Sequence, residues 1–138
     1  MTDVVLNKVQ SIQRCVSRAR EEQRAAGADF GRDYTRQDAA ILNITRACEQ
    51  AIDLANHVIR AEKIGIPTDS AESFELLARA RIISVELAAR LRKMVGFRNV
   101  VIHEYQSVQT SSVEAVIRSD LDDLLAFADQ MLRRQPRP

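Results

Sequence analysis

Hydrophobic positions recur along this chain at spacings of three and four, the mark of helices that each bury one face. The first stripe runs Val5, Val9, Ile12, Val16 and Ala19, then fades near Gly27, with Gly31 in the following loop. The second runs Ile41, Ile44, Cys48, Ala51, Ala55 and Val58, widened by Ile52 and Ile59. Thr35 or Asp33 caps its start. Gly65-Ile66-Pro67 stops it, since glycine takes the left-handed conformation and proline restricts its predecessor.

A short third helix starts after Asp69 or Ser70 and carries Phe74, Leu77 and Ala78. Ser84 caps a fourth, whose stripe runs Leu87, Leu91, Met94, Arg98, Val101 and Tyr105. The fifth opens on Ser111 and Glu114, the spacing of a capping box, and continues through Val113, Ile117, Leu121, Leu124, Ala128 and Met131. Gln135 to Pro138 should fray. Short loops between long helices favour antiparallel neighbours. The pattern therefore predicts an all-α, up-and-down bundle of about five helices, one domain over residues 1–138.

Composition sharpens this. Hydrophobic residues at 46% exclude a disordered chain, and 4% aromatics without tryptophan argue against a β-rich core. No apolar run approaches the roughly 20 residues of a spanning helix, and Met1 to Lys8 lacks a signal-peptide layout. A cytoplasmic protein with no membrane partner is expected. Cys15 and Cys48 fall on apolar stripes and read as buried thiols rather than a disulfide framework. The net charge of +1 argues against a generic nucleic-acid coat. Locally, however, Arg79, Arg81, Arg90, Arg92, Lys93 and Arg98 cluster against only Glu86. That cluster is either a solvated face or a guide for RNA. Nothing resembles a glycine-rich phosphate loop, so no nucleotide cofactor is expected.

The fourth stripe is interrupted by Arg98, whose charge is costly to desolvate. From periodicity alone, it is either paired with a carboxylate across a dimer interface or set there for function. Asp53 and His57 are i, i+4 neighbours, either a hydrogen-bonded structural pair or support for a site. Two ligands on one helix are too few for a metal. Ser111 and Ser112 read as cap residues, not nucleophiles, because no base lies near them in sequence.

Arg98, His103 and Tyr105 match the R-x4-H-x-Y motif of the HepT-like group of the HEPN superfamily, and Asn99 matches the polar residue favoured after its arginine. Met94-Val95-Gly96-Phe97, Asp53-Leu54-Ala55-Asn56-His57 and Gly65-Ile66-Pro67 also resemble that family, so the likeness spans roughly Lys8 to Phe127. The resemblance implies a toxin: a homodimeric, metal-independent endoribonuclease neutralised by an MntA-like minimal nucleotidyltransferase antitoxin. Arg98 and His103 would be catalytic, with Asn99, Asp53 and His57 supporting them. Arg90, Arg92 and Lys93 would guide RNA, and Tyr105 would accept nucleotides from the antitoxin. The residue chemistry suits these roles: imidazole shuttles protons near neutral pH, and a guanidinium fork fits two phosphate oxygens. The expected product is a 2′,3′-cyclic phosphate. The other reading is a non-catalytic helical subunit that docks a nucleotidyltransferase.

Geometry adds a constraint. On a regular helix Arg98 and His103 lie about 140° apart, so either the helix distorts near Asn99 or two chains assemble the site. The resemblance favours two chains, with Met94 and Val101 partly covered by the partner. Tyr105, seven residues from Arg98, is expected on the same side of that helix, roughly 10.5 Å along it.

Overall fold

The computed structural model describes residues 2–134, so Gln135 to Pro138, expected to fray, lie outside the described residues. Among the described residues, helices are joined by turns and short irregular loops, with no strand. The long rods are α1 (Thr2–Ala26) and α2 (Tyr34–Ala61), followed by the shorter α3 (Ser70–Arg79) and α4 (Val85–His103). The last rod comprises α5 (Thr110–Ala115), a π turn (Val116–Asp120) and α6 (Leu121–Arg133), joined without leaving helical backbone angles. Counted as rods, these are the five expected helices.

Caps explain most boundaries. The Asp33 carboxylate accepts from the Arg36 amide, Asp69 from Glu72, and Ser84 from Leu87, each satisfying a first-turn donor. Asp33, not Thr35, is thus the cap of α2. Two expected boundaries need correction. Helix α2 ends at Ala61, and Lys63, with φ of 53°, takes the left-handed turn before Gly65 is reached. Ser111 and Glu114 form no capping box: α5 starts from Gln109, which makes no side-chain cap bond, and both serines lie inside the helix.

Helices α1 and α2 are antiparallel, fastened near opposite ends by Lys8–Asp53 and Arg36–Glu22. Helix α6 lies against both, held by Arg20–Asp122 and Arg134–Glu62. All five stripes meet in one core that includes Ile12, Ile44, Leu91 and Leu124. Phe74 of α3 and Phe127 of α6 meet edge to face there, ring centroids 5.4 Å apart, the geometry the ring quadrupole prefers. Cys15 and Cys48 are both free and buried, as their stripes predicted. Among the described residues, no helix is long and apolar enough to cross a membrane.

Candidate functional site

Helix α4 carries the motif on two faces. It runs unbroken through His103, so the distortion near Asn99 does not occur. Arg98 points inward against α2, while Asn99 and His103 are exposed and their side chains make no hydrogen bond among the described residues. A single chain therefore does not bring Arg98 and His103 together.

The Arg98 side chain is only 15% exposed, and its Nη1 lies 2.9 Å from Oε1 of Glu49, a residue of α2 in the same chain. That pairing replaces the carboxylate expected across a dimer interface. The Arg98 Nε is buried without a hydrogen-bond partner, so one face of the fork is unused. An unsatisfied buried donor is costly and commonly marks a functional position. Cys48, beside the pair, has its thiol pushed up to about 12 by burial; Arg98 opposes the shift and Glu49 adds to it. It is an inert neighbour, not a nucleophile.

Tyr105 is placed differently from expectation. Helix α4 ends at His103, and Tyr105 opens a single 3-10 turn, Tyr105–Ser107, that leaves the helical stripe. Its hydroxyl donates to Asp38 of α2 in a short hydrogen bond. Burial first, then Asp38, push the phenol up to about 12. Glu49 and Asp38 are eleven residues apart on α2, so their contacts with Arg98 and Tyr105 lie roughly 16 Å apart along it. Tyr105 does not stand beside Arg98.

Elsewhere the basic cluster is largely paired. Arg92 and Arg79 share Glu75, and Arg90 bonds Asp123, carboxylates that its own stretch of sequence does not contain. Lys93 is exposed. Asp53, one turn beyond Glu49, pairs with Lys8, while His57 makes no bond to it. No group of three or more candidate metal ligands occurs among the described residues. Met94 is 1% exposed within the chain, so a partner has nothing of it to cover. Val101 remains half-buried.

The HepT-like ribonuclease family matches residues 10–131. The chain belongs to that family. It is 41% identical to the mRNA nuclease HepT of Shewanella oneidensis over 94% of this chain and 96% of that one. A tRNA nuclease HepT of Aphanizomenon flos-aquae is 28% identical over 60% of this chain and 56% of its own. The solved structure of the tri-AMPylated S. oneidensis HEPN toxin in complex with its MNT antitoxin superposes with a TM-score of 0.89. It is 41% identical and covers 94% and 97% of the two chains.

Within this HepT-like fold, sequence reasoning missed Glu49 and Asp38, the two α2 carboxylates that hold Arg98 and Tyr105. They share one face of α2, about three turns apart, a periodicity that becomes informative only once the contacts are known.

Proposed function

We propose that this chain is the toxin of a toxin–antitoxin pair, a cytoplasmic, metal-independent endoribonuclease in which Arg98 and His103 act on the scissile phosphate. What carries the reading is an arginine with an unused, buried Nε, in the R-x4-H-x-Y motif of a chain 41% identical to an mRNA nuclease. Arg98 neutralises the phosphorane as charge develops, and His103 moves protons between the ribose 2′-hydroxyl, solvent and the leaving oxygen. A 2′,3′-cyclic phosphate results. Asn99 orients the imidazole or a phosphate oxygen, with Asp53 and His57 behind the site. The ion pairs of Arg90 and Arg92 are solvent-facing and worth little, so they exchange readily for RNA phosphates, as does Lys93.

The working unit is a homodimer. Arg98 and His103 face apart on a regular α4, and a two-fold axis supplies the missing group from a second copy. Gly96, Asn99, Val100 and His103 share the outer face of α4, and a Cβ at Gly96 meets nothing within 4 Å. An exposed mid-helix glycine costs about 1 kcal/mol of propensity against alanine, and close approach of a second helix is its use. Exposed Val100 and Ile102 provide apolar area for it.

Neutralisation comes from a minimal nucleotidyltransferase antitoxin that attaches AMP to Tyr105, a reading supported by the AMPylated relative in complex with its antitoxin. The in-chain pairing of Arg98 with Glu49 favours one other reading, a non-catalytic subunit whose arginine is structural. Expression of the chain alone, beside His103→Ala, separates the two. The toxin arrests growth and degrades RNA and the variant does neither; a wild-type chain that leaves RNA intact refutes the nuclease.

A further inference from the structure

The Tyr105 hydroxyl already has a proton acceptor in its own chain. Asp38 sits on the first turns of α2, exposed, and takes the hydrogen bond from the phenol. The contact opens on a surface groove of about 360 Å³ lined by Tyr34, Gln37, Ile41, Gln106 and Val108, so the phenolic oxygen can be reached from outside. Tyr105 itself is 45% exposed. Nothing in the fold requires this bond, since it joins two surface side chains at the rim of the core.

We propose that Asp38 is the general base for nucleotidyl transfer to Tyr105. The proposal rests on the reading of Tyr105 as the acceptor. The phenolic oxygen forms a bond to the α-phosphorus of ATP held by the antitoxin, and the bond from that phosphorus to the oxygen joining it to the β-phosphorus breaks. The proton passes to the Asp38 carboxylate and then to solvent, and pyrophosphate leaves with the electron pair. The products are an O-adenylyl tyrosine and pyrophosphate.

The chemistry needs such a group. A phenol held near 12 is ionised in roughly one molecule in 10⁵ at pH 7. The transferase therefore meets a protonated nucleophile. A carboxylate hydrogen-bonded to the attacking hydroxyl takes the proton as the new bond forms, as the catalytic-loop aspartate of protein kinases does. Asp38 also fixes which lone pair faces the groove, so one contact orients and activates the acceptor.

The test is single-turnover transfer of labelled AMP in the preformed complex, with ATP saturating, comparing wild type with Asp38→Asn. Asparagine keeps the size and the acceptor oxygen but loses the basicity. The rate should fall by about 10²–10⁴-fold. Replacing Tyr105 by difluorotyrosine, which ionises more easily, should restore much of the rate in the Asp38→Asn chain. A variant modified at the wild-type rate overturns the proposal, and so does a slow variant that fluorination fails to rescue. Peptide mapping separates the underlying reading. Adenylate on a residue other than Tyr105 in the wild type sinks both ideas, whereas adenylate on Tyr105 at equal rates sinks only the base.

Discussion

Glu49 and Asp38 lie on one face of α2 and hold, respectively, the arginine and the tyrosine of a single motif. The stretch from Arg98 to Tyr105 is thereby laid back along α2 toward its N-terminus. The two ends of that stretch differ in kind. The Arg98 side chain is nearly enclosed, and Tyr105 is open. Four consequences can be measured.

On the proposed reading, Glu49 is a competitor of RNA for Arg98. Glu49→Gln should tighten binding of RNA several-fold in a His103→Ala background, where cleavage does not interfere. It should cost at most about 1 kcal/mol of stability, because Glu49 is 42% exposed and solvent screens the pair. Filter binding and denaturant titration read the two effects. Weaker RNA binding would make Glu49 a positioning group instead of a competitor.

His103→Ala should lower RNA cleavage by at least about 10²-fold and leave melting almost unchanged, since the side chain is exposed. Arg98→Ala should lose activity and also stability, because it abandons Glu49 and opens a largely buried site. Chelators should not alter the wild-type rate. Loss of activity in EDTA, restored by a divalent cation, would replace the proposed acid–base chemistry.

If the proposed dimer packs through α4, Gly96→Leu should dissociate it by blocking close approach, while raising the helix propensity of α4 by up to about 1 kcal/mol. Light scattering and thermal melts of the dilute chain should therefore move in opposite senses. A Gly96→Leu protein that remains dimeric places the interface elsewhere.

Tyr105 should titrate late. Its phenol is raised in the folded chain, so the stabilising contact is complete below the ordinary tyrosine range and is lost as pH climbs toward about 12. Ultraviolet titration of wild type against Tyr105→Phe isolates its step from that of Tyr34. Asp38→Asn should bring the step down toward the ordinary value, as one of its causes is removed. Tyr105→Phe should also gain no adenylate mass when incubated with antitoxin and ATP.

The helices were legible because periodicity records burial directly. Every stripe residue from Val5 to Ala19 is buried, as is every one from Ile41 to Val58. The fourth stripe failed at its end. The run Val100-Val101-Ile102 is β-branched, crowds the preceding turn and is followed by the end of α4 at His103. That run could have warned that Tyr105 leaves the helix. No comparable signal marks Glu49 or Asp38, which lie 49 and 67 residues from their partners. The partners of the basic cluster were hidden for the same reason: Glu75 and Asp123 arrive from outside its stretch and pair with Arg79, Arg92 and Arg90. The motif itself was visible in the residues, whereas its division between two faces of α4 needed the chain to be folded.

The roughly 16 Å along α2 between the two contacts sets a distance problem for silencing. Salt at physiological strength screens exposed charge within about 8 Å, so one phosphate at Tyr105 scarcely reaches the field of Arg98. A stacked nucleotide advances a strand by about 3.4 Å, and further when extended. If Tyr105 accepts nucleotides in series, as an extension of the proposed reading, they reach the guanidinium of the same chain only after successive additions, and the spacing of two carboxylates on one helix sets how many.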